Sequence, residues 1–257
     1  MDHLKKQSIL RTLHRKFVVE VRLVSKDTRR RLYVTSLLLI TGGCILFLLL
    51  LLQVVTHTGL AHLDQSVEQW MDSHRFGSVT PLMISLAVIF GPVVLPILIG
   101  IVIVFWIITS RHIWRPLVLA GFMAVGVLLV QIIARTVDRP RPPIGLMLMG
   151  PDHTFSFPSG HVMGTADFLL LTSYLIVSRQ PTKKKAIIYS VIAGIVIFSQ
   201  IVSRMYLGYH WLTDTLASLL LSTVVLGALI ALDTWRSVRV PGEKIEGSLS
   251  KPQTEGT

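Results

Sequence analysis

Cysteine is nearly missing from this sequence: its 257 residues hold one, Cys44, set inside the first long apolar run. A lone cysteine excludes an intramolecular disulfide, and its apolar setting excludes chemistry built on a thiolate nucleophile. Charge is scarce as well. Only 15% of the residues are charged against 51% hydrophobic, and acids number 14 against 25 Lys and Arg. That balance excludes an ordinary soluble domain. There is no Gly-rich phosphate loop, internal repeat or low-complexity tract, which removes loop-cradled nucleotides and solenoids. The net charge of +11 could suit a polyanion, but the basic residues fall between the apolar runs and at the ends. That placement reports membrane topology, and no nucleic-acid partner is expected.

What the chain does have is length in its apolar segments. A helix needs about 20 apolar residues to span the hydrocarbon core, and six segments meet or approach this: Leu32 to Val55, Pro81 to Ile108, Pro116 to Val137, His161 to Val177, Ala186 to Val202 and Thr213 to Leu232. The expected fold class is an all-α, polytopic membrane bundle of six transmembrane helices. The second segment holds Gly91, Pro92 and Pro96 and is the place for a kink. Asp167 lies inside the fourth and should face the bundle interior, hydrogen-bonded or functional. The first segment is too long for a cleaved signal core and reads as a retained anchor. Three regions follow: a basic segment over 1–30, a membrane domain over 31–235, and a flexible tail over 236–257.

Five basic residues, Arg75, Arg135, Arg139, Arg141 and Arg204, fall on one side of these spans, and the remaining Lys and Arg fall on the other. The positive-inside rule therefore puts both ends in the cytoplasm of a plasma-membrane protein and the five arginines outside. Leu10, Leu13, Phe17, Val18 and Val21 recur at near-helical spacing and suit an inner-leaflet surface helix or a solvated tail. The outer stretch Leu63 to Phe76 suits an interfacial helix or a connecting loop.

The outward arginines come with company. Arg135, Asp138, Arg139, Pro140, Arg141 and Pro142 stand at the outer end of the third span; Pro158-Ser159-Gly160-His161 open the fourth; Ser203, Arg204, Tyr206, His210 and Asp214 bridge the fifth and sixth. Taken singly, each has a plain reading as a snorkelling arginine, an N-cap or a first-turn acid. All three clusters fall on one face, however, and together they suit a phosphoryl group. Guanidinium forks pair phosphate oxygens and neutralise charge in a phosphoryl transition state. Ser159 and Gly160 would present backbone N–H groups at a helix start. His210 and Asp214, four residues apart, share a helical face, so the carboxylate can orient the imidazole as a nucleophile. His161 can then protonate the leaving oxygen. Two histidines and an aspartate could instead hold zinc, but the neighbouring arginines would repel a dication.

These residues resemble the signatures of the type 2 phosphatidic acid phosphatase superfamily, lipid phosphatases that share a fold with vanadium haloperoxidases. Pro158-Ser159-Gly160-His161 fits the second signature, and Ser203, Arg204, His210 and Asp214 fit the third. The resemblance spans roughly residues 30 to 235. It implies that His210 attacks phosphorus to form a phosphohistidine, that Asp214 supports it, and that His161 is the acid. It also implies that Arg141, Arg204, Ser159 and Gly160 hold the phosphate, with no metal and no cofactor. The first signature departs from the family pattern: where a lysine is usual, seven residues before Arg141, the chain has Ala134. Arg135 or Arg139 is then the expected substitute.

The implied function is removal of a phosphoryl group from a lipid mono- or diphosphate at the outer face. Undecaprenyl diphosphate, phosphatidylglycerol phosphate, phosphatidate and diacylglycerol diphosphate are the candidate substrates, and membrane lipids are the expected partners. A lipid-diphosphate phosphotransferase and a weakened lipid-binding protein are the rival readings. The sequence does not specify an oligomeric state.

Overall fold

A computed structural model describes residues 17, 19–110, 112–179, 181–244 and 250–252. Helix α1 (Lys26–Thr56) begins ahead of the expected Leu32 because Ser25 caps it. The Ser25 hydroxyl accepts the Thr28 amide at 3.1 Å, and Asp27 complements the helix dipole in the first turn. The helix stops at His57, which takes a left-handed conformation at φ 53°. One 3-10 turn (Gly59–His62) leads into the amphipathic helix α2 (Leu63–Ser73), the helical alternative for that stretch.

The second expected span is two helices, α3 (Thr80–Ile89) and α4 (Val94–Thr109), bent by 51° at a break that holds Gly91 and Pro92. Proline has no N–H to continue the ladder, and the chain turns there. Four long helices follow: α5 (Trp114–Val137), α6 (Gly160–Val177), α7 (Lys183–Tyr206) and α8 (Leu212–Ser237). Among the described residues five helices are long and apolar enough to cross a bilayer, and the bent pair counted as one span gives the expected six. The protein is a multi-pass membrane protein of the all-α class.

Its surface is that of a molecule bathed in hydrocarbon. Ile108, Phe198 and Leu128 are well exposed, while Thr165, Thr213, Ser218 and Ser222 are fully buried. With lipid tails as apolar as leucine, small residues that let backbones approach drive helix packing. The α1–α8 crossing is built this way. A Cβ at Gly43 would lie 2.6 Å from the Thr223 hydroxyl, and one at Gly227 would lie 2.9 Å from the Ser36 carbonyl. The Ser36 hydroxyl donates to the Gly227 carbonyl at 2.8 Å across the same contact. Asp167 faces inward as expected, in room left by Gly126 of α5.

Segments ahead of α1 and beyond α8 meet. Strand β1 (Val19–Leu23) lies between β2 (Val238–Arg239) and β3 (Ser250–Pro252), parallel to both. Val19 and Val21 are buried on one face while Glu20 and Arg22 take the other, half-buried one, a two-residue period that overrides the near-helical spacing expected for Val21. Leu10 and Leu13 of that expected helix lie outside the described residues. Where a flexible tail is expected from residue 236, Val238 and Val240 are buried beside β1.

Candidate active site

At the face opposite the β-strands, the loop joining α5 to α6 meets the turn joining α7 to α8. Asp138 caps α5 in a left-handed conformation at φ 51°, which redirects the chain so that Arg139 and Arg141 point back over the bundle. Ser159 is the N-cap of α6. Its hydroxyl accepts the Val162 amide at 3.5 Å, its amide donates to the Asp214 carbonyl at 3.3 Å, and its carbonyl accepts from Ser218 at 2.9 Å. Ser159 thus fastens α6 to α8, and Gly160 and His161 open the helix beside it. After α7, Gly208 takes φ 79°, and a side chain there would strike the Leu146 carbonyl. That glycine turn carries the backbone from Arg204 to His210.

His210 is buried with its two ring nitrogens in different surroundings. Nδ1 lies 2.8 Å from the Ser156 carbonyl, which can only accept. Nε2 lies 3.1 Å from an Arg141 N–H, which can only donate. The proton therefore sits on Nδ1, and Nε2 keeps its lone pair, the tautomer a nucleophile needs. Burial, then Arg141 and Arg204, push the His210 imidazole well below the usual histidine range, which keeps it neutral. Arg141 is anchored through the Tyr209 carbonyl at 2.7 Å, Thr154 at 2.9 Å and the Asp152 carboxylate at 3.1 Å. Arg204 is buried, its guanidinium 4.5 Å from the centre of the Tyr209 ring. His161, from α6, stands within electrostatic reach of Arg204, His210, Arg141 and Asp152.

The arrangement can bind a phosphoryl group and attack it, since one neutral imidazole faces two guanidiniums and a second imidazole stands nearby. No group of three His, Cys, Asp or Glu among the described residues is arranged to hold a metal.

A family model, the PAP2 superfamily, matches residues 115–237. Phosphatidylglycerophosphatase B of Bacillus subtilis (strain 168) is 32% identical over 108 residues, 41% of this chain and 52% of that protein. Phosphatidylglycerophosphatase B of Escherichia coli (strain K12) is 36% identical over 88 residues, 34% of this chain and 31% of that protein. The match thus spans about half or less of these relatives. The crystal structure of a transmembrane PAP2-type phosphatidylglycerolphosphate phosphatase from Bacillus subtilis superposes with a TM-score of 0.69 at 24% identity, covering 76% of this chain and 96% of that one. Aquifex aeolicus LpxE gives 0.53 at 21% identity, over 66% and 95%. Both share the fold.

Within the matched region, neither expected substitute for the missing lysine reaches His210 or the two guanidiniums beside it. Arg135 is exposed and donates to the Gln131 carbonyl of its own helix at 3.2 Å. Arg139 is held between two buried carboxylates, Asp64 of α2 and Asp214 of α8, each at 2.6 Å. Asp214 spends its oxygens on Arg139 and the Trp211 amide, and its carboxylate is 3.5 Å from His210 Nδ1, beyond the nearer Ser156 carbonyl. His210 precedes α8, whose N-cap is Trp211, so the two residues do not sit on one helical turn as their spacing suggests.

Four residues of this neighbourhood escape a reading of the PAP2 motifs: Asp64, Asp152, Thr154 and Ser156. Asp64 lies before the matched region altogether, and accepts from the Thr213 amide at 2.9 Å and its hydroxyl at 2.6 Å. Asp152 is lowered below the usual carboxylate range: burial opposes this, but the Thr154 hydrogen bonds and then Arg141 outweigh it. Nothing in the sequence marks these residues except that they are polar.

Proposed function

We propose that this protein is a membrane lipid phosphatase that removes a terminal phosphoryl group from a lipid phosphate at the extracytoplasmic face. The observation that carries the proposal is the fixed tautomer of His210, with Nδ1 on the Ser156 carbonyl and Nε2 beside Arg141. The Nε2 lone pair forms a bond to phosphorus as the bond from phosphorus to the ester oxygen breaks. That oxygen takes a proton from His161, Arg141 and Arg204 hold the charge on the phosphate oxygens, and a phosphohistidine results. Water then attacks phosphorus and gives a proton to His161. The P–N bond breaks, and phosphate leaves with the enzyme restored. Asp214 supports this centre by fastening Arg139 and the start of α8, while Ser159 and Gly160 set the N-terminus of α6 toward the phosphate.

A lipid substrate suits a site at the mouth of a bundle whose flanks are apolar, because the tail stays in hydrocarbon while the headgroup reaches the arginines. The two curated relatives are both named for phosphatidylglycerophosphate, and a lipid phosphate monoester of this type is the substrate class proposed. The positive-inside count supports cytoplasmic ends at 1–30 and 236–257 around a phosphatase domain over 31–235. The test is phosphate release by detergent-purified protein in the presence of chelator, across prenyl diphosphates and glycerolipid phosphates. His210→Ala should lose at least about a thousandfold in turnover while keeping its elution profile and melting behaviour. Full activity in that variant would remove the mechanism, and a panel led by prenyl diphosphates would remove the substrate class.

A further inference from the structure

The opposite end of the bundle holds a second basic site that the proposed reaction does not use. A cavity of about 350 Å³ opens between the α4–α5 corner, β1 and the end of α6, lined among others by Arg115, Arg179, His112, Glu20, Trp106 and Trp114. Around it three guanidiniums, those of Arg22, Arg115 and Arg179, face two carboxylates, Glu20 and Asp233. Both carboxylates are already engaged. Glu20 takes His112 at 2.9 Å, while Asp233 takes Ser237 at 2.9 Å and Tyr174 at 3.2 Å. Arg22 is turned to the Ser178 carbonyl and Arg179 to the Glu20 carbonyl.

Donors are left over. Arg115 makes no hydrogen bond or ion pair within 4 Å among the described residues, and the buried Trp114 Nε1 and Arg179 Nε have no partner there. Arg179 exposes only 5% of its side chain. Buried N–H groups without partners are rare and costly in a native fold. An uncompensated guanidinium beside unpartnered N–H donors is the complement of a compact oxyanion. Two tryptophans in the wall mark the depth of a headgroup region, where basic pockets between helices take lipid phosphates.

We infer that this cavity binds a phosphate-bearing anion, with Arg115, Arg179 and Trp114 as its donors. Two sources share that chemistry: the headgroup of an anionic phospholipid in the adjoining leaflet, and free phosphate.

The experiment is native mass spectrometry of the full-length protein released from phosphatidylcholine nanodiscs doped with phosphatidylglycerol. It is done in the His210→Ala background so that turnover plays no part. One retained phosphatidylglycerol per chain is expected. Arg115→Gln should lower its occupancy roughly tenfold, the effect of removing one charge-assisted pairing. Thr109→Trp, which adds bulk at the cavity wall and leaves every guanidinium in the sequence, should do the same and serves if Arg115→Gln fails to fold. Occupancy that survives millimolar inorganic phosphate assigns the site to the lipid headgroup; displacement assigns it to free phosphate as well. Unchanged occupancy in Thr109→Trp overturns the inference, whatever Arg115→Gln does. Arg115→Gln with His210 intact should keep its hydrolysis of a soluble short-chain substrate, and loss of hydrolysis with unchanged lipid occupancy would overturn it too.

Discussion

At the scale of single residues, the pH behaviour of His210 separates it from an exposed histidine. A free imidazole protonates as pH falls through about 6.5. His210 has its pKa pushed well below that by burial and by Arg141 and Arg204, so its neutral, reactive form persists through that window. The nitrogen resonances of His210, followed by NMR on histidine-labelled protein from about pH 8 to about pH 5.5, should show no protonation step; a midpoint near the free value would contradict the assignment. Arg141→Lys keeps the charge but loses the planar fork that reaches Nε2, Tyr209 and Thr154 together. The expected cost is about 10²- to 10³-fold in kcat/KM, read by steady-state kinetics. His210, His161, Arg141 and Arg204 were legible in the sequence because each sits in a short local motif. Ser156 and Asp152 were not: their contribution is a carbonyl and an ion pair that exist only once the α5–α6 loop folds over the α7–α8 turn.

Between elements, Arg139 is the rivet. It joins α2 to α8 through Asp64 and Asp214, with its guanidinium only 13% exposed, and its Cζ lies 5.7 Å from the Trp211 ring. Removing one partner from a buried ion network leaves uncompensated charge and costs about 3–5 kcal/mol. Arg139→Ala should therefore lower the thermal unfolding temperature in detergent and loosen α2, whereas Arg135→Ala, on an exposed helical face, should leave both unchanged. The sequence offered Arg135 and Arg139 as equals because spacing alone cannot tell a guanidinium that reaches substrate from one that reaches a carboxylate 75 residues away. Helix positions were readable from apolar runs and from Pro92 at the break. The strands were not, since five residues of alternating burial lie below what a basic terminal segment advertises, and their partners are more than 200 positions distant.

For the whole molecule, a bundle in which the bent pair counts as one span has six spans and both flanks on one side, and β1 pairing with β2 and β3 agrees with that. The proposed orientation can be read with a Cys44→Ser background. A cysteine placed at His153 should react with an impermeant maleimide on intact cells, and one placed at Arg30 only after permeabilisation. The reverse pattern would invert the topology. Hydropathy made the spans the most legible feature of the three scales, because the bilayer imposes its thickness on every segment alike. The meeting of the flanks has a mechanical side too. Because β1 and β3 run parallel, a pull applied ahead of Val19 and beyond Pro252 loads their ladder in shear, with all its bonds strained together rather than unzipped one at a time. A machine that extracts this protein by either terminus must break that clasp before the first or last helix can leave the membrane.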